Sequence, residues 1–269
     1  MDLFRFKAGR SPLLVSIPHL GTWIPEAQLQ RMTPVAHLRA DTDWHLDLLY
    51  TFLDELGASS LMATVSRYVI DLNRPPDDST LYPGQDTTGL CPIDTGKSEL
   101  LYAPGAQPTL EEIAERRERY WQPYHAKLAE ELERIRQVHG YALLWEAHSI
   151  PSVLPRFFPG RLTDFNIGTS RGASCAPRIG DELLTVAKQA KDYTSVLDAR
   201  FVGGYITRHY GQPAKGIHAV QLELTRCTYM DEDTPPFAFR EVVAKGVRPH
   251  VRALLETYLE AGARTGRPA

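Results

Sequence analysis

A carboxylate and an imidazole stand two residues apart in Tyr141-Ala-Leu-Leu-Trp-Glu146-Ala-His148-Ser149, at the end of a short apolar run. Residues two apart on a strand share a face. A strand here therefore carries Glu146 and His148 side by side to one end of a sheet, where open α/β sheets bind their ligands. Groups of the same kind follow other apolar runs: His19 after Leu13-Leu-Val-Ser-Ile-Pro18, Asp41 and Asp43 before another, Arg67, Asn73 and Arg74 around Tyr68-Val-Ile, and Glu223 within His218-Ala-Val-Gln-Leu-Glu-Leu. Two histidines and a carboxylate are a common ligand set for catalytic zinc, with one position left open. A metal in such a set draws the pKa of water towards neutrality, a further carboxylate serves as general base, and arginines bind an acidic substrate or steady an oxyanion. The set points to metal-assisted hydrolysis of an amide or ester that carries a carboxylate.

Each member also has an ordinary structural explanation. A histidine just past a strand is commonly solvated, aspartates cap helices, and exposed arginines form surface pairs worth little. Glu223 fits an edge strand with a polar outer face equally well as a buried, poised carboxyl.

The elements that must position these groups are legible in the spacing. Residues 13–17 read as a buried strand, ended by Pro18, which lacks an N–H. Asp43 is placed to cap a helix with Leu46, Leu49, Tyr50, Leu53 and Leu56 inward and Gly57 as its stop. Residues 58–66 read as a second strand. Residues 75–108, rich in Pro, Gly, Asp and Thr, read as a loop that covers one side of the site, with Leu81-Tyr82-Pro83-Gly84 turn-like. Thr109-Leu-Glu-Glu112 is a capping box. It opens a long helix to His139, stopped by Gly140, with Ile113, Trp121, Tyr124, Leu128, Leu132, Ile135 and Val138 buried. Pro123 should kink this helix, and His125 and His139 are expected on its polar face. Strands are expected at 165–169 and 195–201, a helix at 181–190, and a flexible loop at 203–211 carrying Arg208. Residues 218–226 read as a strand with Ala219, Gln221, Glu223 and Thr225 on one face. A last helix over 236–261 should bury Val242, Val243, Val247, Val251, Leu254, Leu255 and Leu259 around Pro249. Helices and strands alternate, so the fold class is α/β with a mixed, mainly parallel central sheet, expected as a single catalytic domain over 1–269.

Bulk properties exclude several function classes. A 269-residue chain with 43% hydrophobic and 23% charged residues builds its core without staples. A net charge of −3 gives no general attraction to nucleic acid or to an anionic membrane. Cys91, Cys175 and Cys227 make no CxxC and no even-numbered framework. No signal-peptide core and no run of 18 apolar residues is present. The expectation is a cytoplasmic protein acting on a small acidic molecule; self-association into a homo-oligomer stays open.

Read together, Ser16-Ile-Pro-His19-x-Gly21, Asp41-Thr-Asp43-Trp-His45, Ser66-Arg67-Tyr-Val-Ile-Asp-Leu-Asn73-Arg74-Pro75, Tyr82-Pro-Gly-Gln85, Thr88-Gly-Leu-Cys-Pro92, Gly203-Gly-Tyr-Ile-Thr207 and Gln221-Leu-Glu223-Leu224 resemble the N-formylglutamate amidohydrolase family over nearly the whole chain. The resemblance implies hydrolysis of N-formyl-L-glutamate to formate and L-glutamate, a step of histidine degradation. More distantly, the chain is similar to the zinc carboxypeptidases and aspartoacylase, which implies a three-layer αβα, zinc-exopeptidase-like fold. That similarity makes His19 and His148 metal ligands, Glu223 the base, Arg67 the partner of the scissile carbonyl, and Asn73 and Arg74 the clamp for a substrate carboxylate, with Arg208 for the other. Those relatives carry a glutamate three residues after the first histidine, where this chain has Thr22. Asp43, or else Asp41, then supplies the second ligand, and Glu146 orients His148 or ligates instead. Zinc is the implied metal, with cobalt or iron as alternatives. Two other readings use the same residues: a relative acting on another N-acyl amino acid, and a non-catalytic module that binds acidic metabolites through Arg67 and Arg74.

Overall fold

The structure is a computed structural model that describes residues 2–81, 84 and 86–265. Tyr82, Pro83 and Gln85 of the Tyr-Pro-Gly-Gln motif lie outside the described residues. Among the described residues, seven strands, β1 (Phe4–Lys7), β2 (Leu13–Ile17), β3 (Ser59–Ala63), β4 (Ala142–Ile150), β5 (Phe165–Gly168), β6 (Ser195–Leu197) and β7 (Ile217–Thr225), form one sheet in the order β1-β3-β2-β4-β7-β5-β6. The central β3, β2, β4 and β7 run parallel, while β1 is antiparallel to β3 and β5 to β7. The sheet is therefore mixed and mainly parallel. The helices are α1 (Glu26–Leu29), α2 (Pro34–Leu38), α3 (Leu46–Leu49), α4 (Leu110–Arg116), α5 (Gln122–His139), α6 (Pro177–Ala187), α7 (Tyr205–Tyr210) and α8 (Glu241–Thr265).

Strand alternation sorts the core into two clusters, one on each side of the sheet. Val15, Ile17, Trp145, Ala147, Val220, Leu222 and Leu224 pack with Leu183 of α6 and Val251, Leu254 and Leu255 of α8. Leu14, Ala142, Leu144 and Ala219 pack with Leu128, Leu132 and Ile135 of α5. Each fully buried aliphatic side chain is worth about 1.5–3 kcal/mol of transfer free energy. The α8 side stays apolar along the strands. The α5 side changes character: Leu14 gives way to Ser16, Leu144 to Glu146 and His148, and Ala219 to Gln221 and Glu223. Buried polar groups must be paired, so this change marks where the sheet stops being only a core and becomes a site.

Several sequence expectations need correction. The helix expected from Asp43 is only Leu46–Leu49, with His45 at its N-cap in a left-handed conformation. Asp43 does not cap it: its N–H donates to the His19 carbonyl at 2.9 Å, and its carboxylate faces His148 and Ser149. Residues 205–210 form α7, not a flexible loop, because the Asn73 side chain accepts from Ile206 N–H at 2.9 Å and Gln221 accepts from Gly204 N–H at 2.7 Å. β1 leaves little signal in the sequence because it is four residues long and only half buried. At Pro123 the helix path widens into a π-turn over Arg117–Trp121, a recognised way of accommodating a ladder break. His125 is buried, stacked on Trp121 with ring centroids 3.6 Å apart, and is no polar-face residue. Val138 and Val242 are exposed; they sit on the terminal turns of their helices. The capping box at Thr109 and the left-handed Gly140 stop are formed as the sequence implies.

Candidate active site and metal centre

β7 is an interior strand, paired on one edge with β4 and on the other with β5. Its register puts Glu223 opposite His148 and Gln221 opposite Glu146. Glu223 is thus a buried carboxyl beside an imidazole, and the edge-strand explanation falls away. His19 arrives from the end of β2. The turn that carries it runs so close to the loop after β3 that a Cβ on Gly21 would lie 2.1 Å from the Val65 carbonyl oxygen; only glycine permits that approach.

His19, Asp43 and His148 form a buried group whose ligand atoms lie within 4.8 Å of one another. Asp43 Oδ2 is 3.6 Å from His19 Nδ1 and 3.3 Å from His148 Nδ1. Tetrahedral bonds of about 2.0–2.1 Å would set neighbouring ligand atoms about 3.3–3.4 Å apart, so the three residues fit a metal ion. The far nitrogens fit as well. His19 Nε2 is 2.7 Å from Asp71 Oδ1, and His148 Nε2 is 3.0 Å from Glu146 Oε2. Metal-binding histidines characteristically give their other ring N–H to such carboxylates. Glu146 therefore sits behind His148, not beside the ligand atoms. Asp41 is engaged elsewhere: its carboxylate accepts from Gly96 N–H at 3.0 Å and from the Tyr68 hydroxyl at 3.0 Å. Of the two aspartates, Asp43 belongs to the group that could hold a metal.

Electrostatics follow from the burial. Burial works against ionised Asp43, yet the two histidines outweigh it and hold the carboxyl far below the usual range. Burial also works against protonated His148, but Asp43 and Glu146 prevail and push it up to about 10. Glu223 is the opposite case. Burial pushes it up to about 7; His148 opposes this, Asp43 adds to it, and Arg67 and Arg226 oppose it. A carboxyl poised there can both take and return a proton near neutral pH.

The cavity above these groups is lined by His19, Asp43, Arg67, Asn73, Arg74, His148, Gln221 and Glu223, by Thr88 and Pro92 of the 75–108 segment, and by Leu154 and Phe157 from the other side. Tyr68, Val69 and Ile70 are buried in the α5-side core, which turns Arg67 and Asn73–Arg74 towards the cavity. Arg74 Nε donates to the Thr88 carbonyl at 2.8 Å. Asn73 Nδ2 lies 3.0 Å from His148 Nε2, and a Cβ on Gly204 would collide with the Asn73 amide at 2.3 Å. Arg208 is not among the lining residues; it donates to the carbonyls of Gly203 and Leu81. Arg200 and Arg226 line the cavity instead. Arg226 is buried and reaches Asp43 Oδ1 at 3.6 Å and the Ala40 carbonyl at 2.6 Å. Sequence reasoning missed Asp71, Arg200 and Arg226. For Asp71 a signal existed: an aspartate inside Tyr-Val-Ile-Asp-Leu must be paired if that run is buried.

A family model described as N-formylglutamate amidohydrolase matches residues 11–230. The chain belongs to the N-formylglutamate amidohydrolase family. It is 50% identical over 261 residues to an N-formylglutamate deformylase of Pseudomonas aeruginosa, covering 97% of each chain. It is 49% identical to an N-formylglutamate deformylase of Pseudomonas putida, covering 96% of each. Among solved structures, an N-formylglutamate amidohydrolase from Ralstonia eutropha superposes with a TM-score of 0.80 at 27% identity, covering 98% of each chain. The amidohydrolase match spans β2 to the turn after β7, and so includes His19, Asp43, Arg67, Asn73, Arg74, His148 and Glu223. No helix among the described residues is long and apolar enough to cross a membrane.

Proposed function

We propose that this enzyme hydrolyses the formyl C–N bond of N-formyl-L-glutamate, giving formate and L-glutamate, with a zinc ion held by His19, Asp43 and His148. The observation that carries the reading is the pairing of a buried His19–Asp43–His148 group with an in-register Glu223 held near neutrality. A divalent metal on these ligands supplies Lewis acidity at the carbonyl and acidifies water. The chain's own groups do the rest. Glu223 removes a proton from the attacking water and returns it to the leaving nitrogen as the C–N bond breaks. Arg67, its charge stabilised by Asp71 against the cost of burial, faces the cavity where the oxyanion develops.

The substrate brings two carboxylates. Arg74 and Arg200 line the cavity, each with its Nε anchored on a main-chain carbonyl, that of Thr88 or of Phe157. These two are assigned to the substrate carboxylates, and the product fits a cytoplasmic role in histidine degradation.

Metal analysis of the purified protein, combined with formate release from N-formyl-L-glutamate with and without chelator, tests the proposal. About one metal per chain and chelator-sensitive release is the expected result. Turnover in metal-free protein would discard the metal centre and keep the substrate. Metal without formate release, but with turnover of an acetyl or succinyl analogue, would move the reading to a different acyl group.

A further inference from the structure

Asp71 is a fully buried carboxylate that spends both oxygens inside the site. Oδ1 lies 2.7 Å from His19 Nε2 and accepts from the Asn73 N–H at 2.8 Å; Oδ2 accepts from Arg67 Nη2 at 2.6 Å. Its own N–H donates to the Leu90 carbonyl at 2.7 Å, which ties the main chain at Asp71 to the 75–108 segment. An ion pair kept only for stability would need one partner. Here the two oxygens divide between a histidine of the metal-binding group and the arginine that faces the oxyanion.

We infer that Asp71 is a positioning residue that sets His19 and Arg67 in one frame; this rests on the metal-centre reading above. The warrant is stereochemical. A carboxylate at Nε2 requires the proton on that nitrogen, so the Nδ1 lone pair is left facing Asp43 and His148. The same carboxylate holds one edge of the Arg67 guanidinium, so its remaining N–H groups are presented at a fixed distance from the ligand atoms. A guanidinium is useful to an oxyanion only when it is fixed before the charge develops. Asparagine at this position keeps the volume but accepts through a single oxygen, and so satisfies His19 or Arg67, not both.

The test is Asp71→Asn, with Arg67→Met and His19→Ala as comparisons. Zinc affinity is measured by competition with a chromophoric chelator, and kinetics are measured at saturating zinc. D71N is expected to bind zinc about 10–100-fold more weakly, the usual cost of losing a carboxylate behind a ligating histidine. With zinc restored, its kcat is expected to stay at least about tenfold low with KM within about threefold, because the arginine acts on the transition state and not on bound substrate. R67M should show the kcat loss without the affinity loss. D71N that binds zinc like wild type, or that recovers full kcat once loaded, overturns the joint role while leaving the metal centre intact. If wild type and H19A bind zinc equally, the metal-centre reading falls and this inference with it. Urea unfolding of metal-free D71N, R67M and wild type separates a loosened fold from a misplaced ligand: D71N and R67M are both expected to unfold at lower urea, since each breaks the buried Arg67–Asp71 pair, while only D71N loses zinc affinity, and an equal affinity loss in R67M would reduce Asp71 to a structural pair.

Discussion

His148 on β4 and Glu223 on β7 are register partners across a parallel ladder. Neighbouring strands lie about 4.8 Å apart, so the sheet itself sets the spacing between an imidazole of the candidate metal group and the carboxyl beside it. No loop has to close to bring them together. Glu223→Gln keeps the volume and removes the proton acceptor. Its expected outcome is unchanged metal content and a kcat at least ~10²-fold lower, the scale of lost acid–base catalysis. Formate release beside metal analysis reads both, and near-wild-type turnover would take Glu223 out of the mechanism.

The two aspartates of Asp41-Thr-Asp43 differ in where they point, which yields a contrast. Asp43→Ala removes a carboxylate set between two histidine rings, so the purified variant should lose nearly all its metal and its activity. Asp41→Asn only weakens the acceptor for Gly96 N–H and Tyr68 OH, so its metal content should match wild type. Equal metal in both variants would contradict the assignment of the ligand.

The sheet and the site differed in how far they could be read from the residues. Strands ending in Pro18-His19, Glu146-Ala-His148 and Gln221-Leu-Glu223 were readable because period-two alternation and the carboxyl ends of strands are local properties. The fate of Asp43 was not: its capping position is equally compatible with a helix, and only the His19 carbonyl and the His148 ring, distant in sequence, decide against it. α7 was hidden for the same reason, since its first turn depends on the Asn73 side chain and Gln221. Arg208 stands next to the Gly203–Thr207 motif and so is the arginine the sequence offers, whereas nothing local marks Arg200, whose place in the cavity lining depends on how its segment meets Phe157.

Substrate recognition separates those arginines. Arg74→Met and Arg200→Met each remove a cation from the cavity lining and should raise KM by at least about tenfold, some 1.4 kcal/mol, with a smaller change in kcat. Arg208→Met, whose guanidinium bonds the Gly203 and Leu81 carbonyls, should leave KM within about threefold. Steady-state kinetics on N-formyl-L-glutamate check all three, and a KM rise confined to R208M would reverse the assignment.

His125 predicts an acid-sensitive fold. Burial pushes its pKa down to about 3 against the pull of the Leu72 carbonyl, which its Nε2 meets at 2.9 Å. In the unfolded chain a histidine titrates near 6.5. Between those values the unfolded state binds the extra proton, so stability rises with pH there. The neutral ring's contribution is complete above about pH 6.5 and is lost progressively as the pH falls towards 3. Its slope approaches about 1.4 kcal/mol per pH unit in the middle of that window. Urea unfolding of metal-free wild type and His125→Asn at several pH values between 7.5 and 4.5 measures this directly. The variant is expected to be less stable at pH 7.5, because it loses the stacking on Trp121, yet to show a shallower decline with acid. Parallel declines in the two proteins would mean that His125 is already protonated in the folded state, and its contact with the Leu72 carbonyl would then be that of an imidazolium.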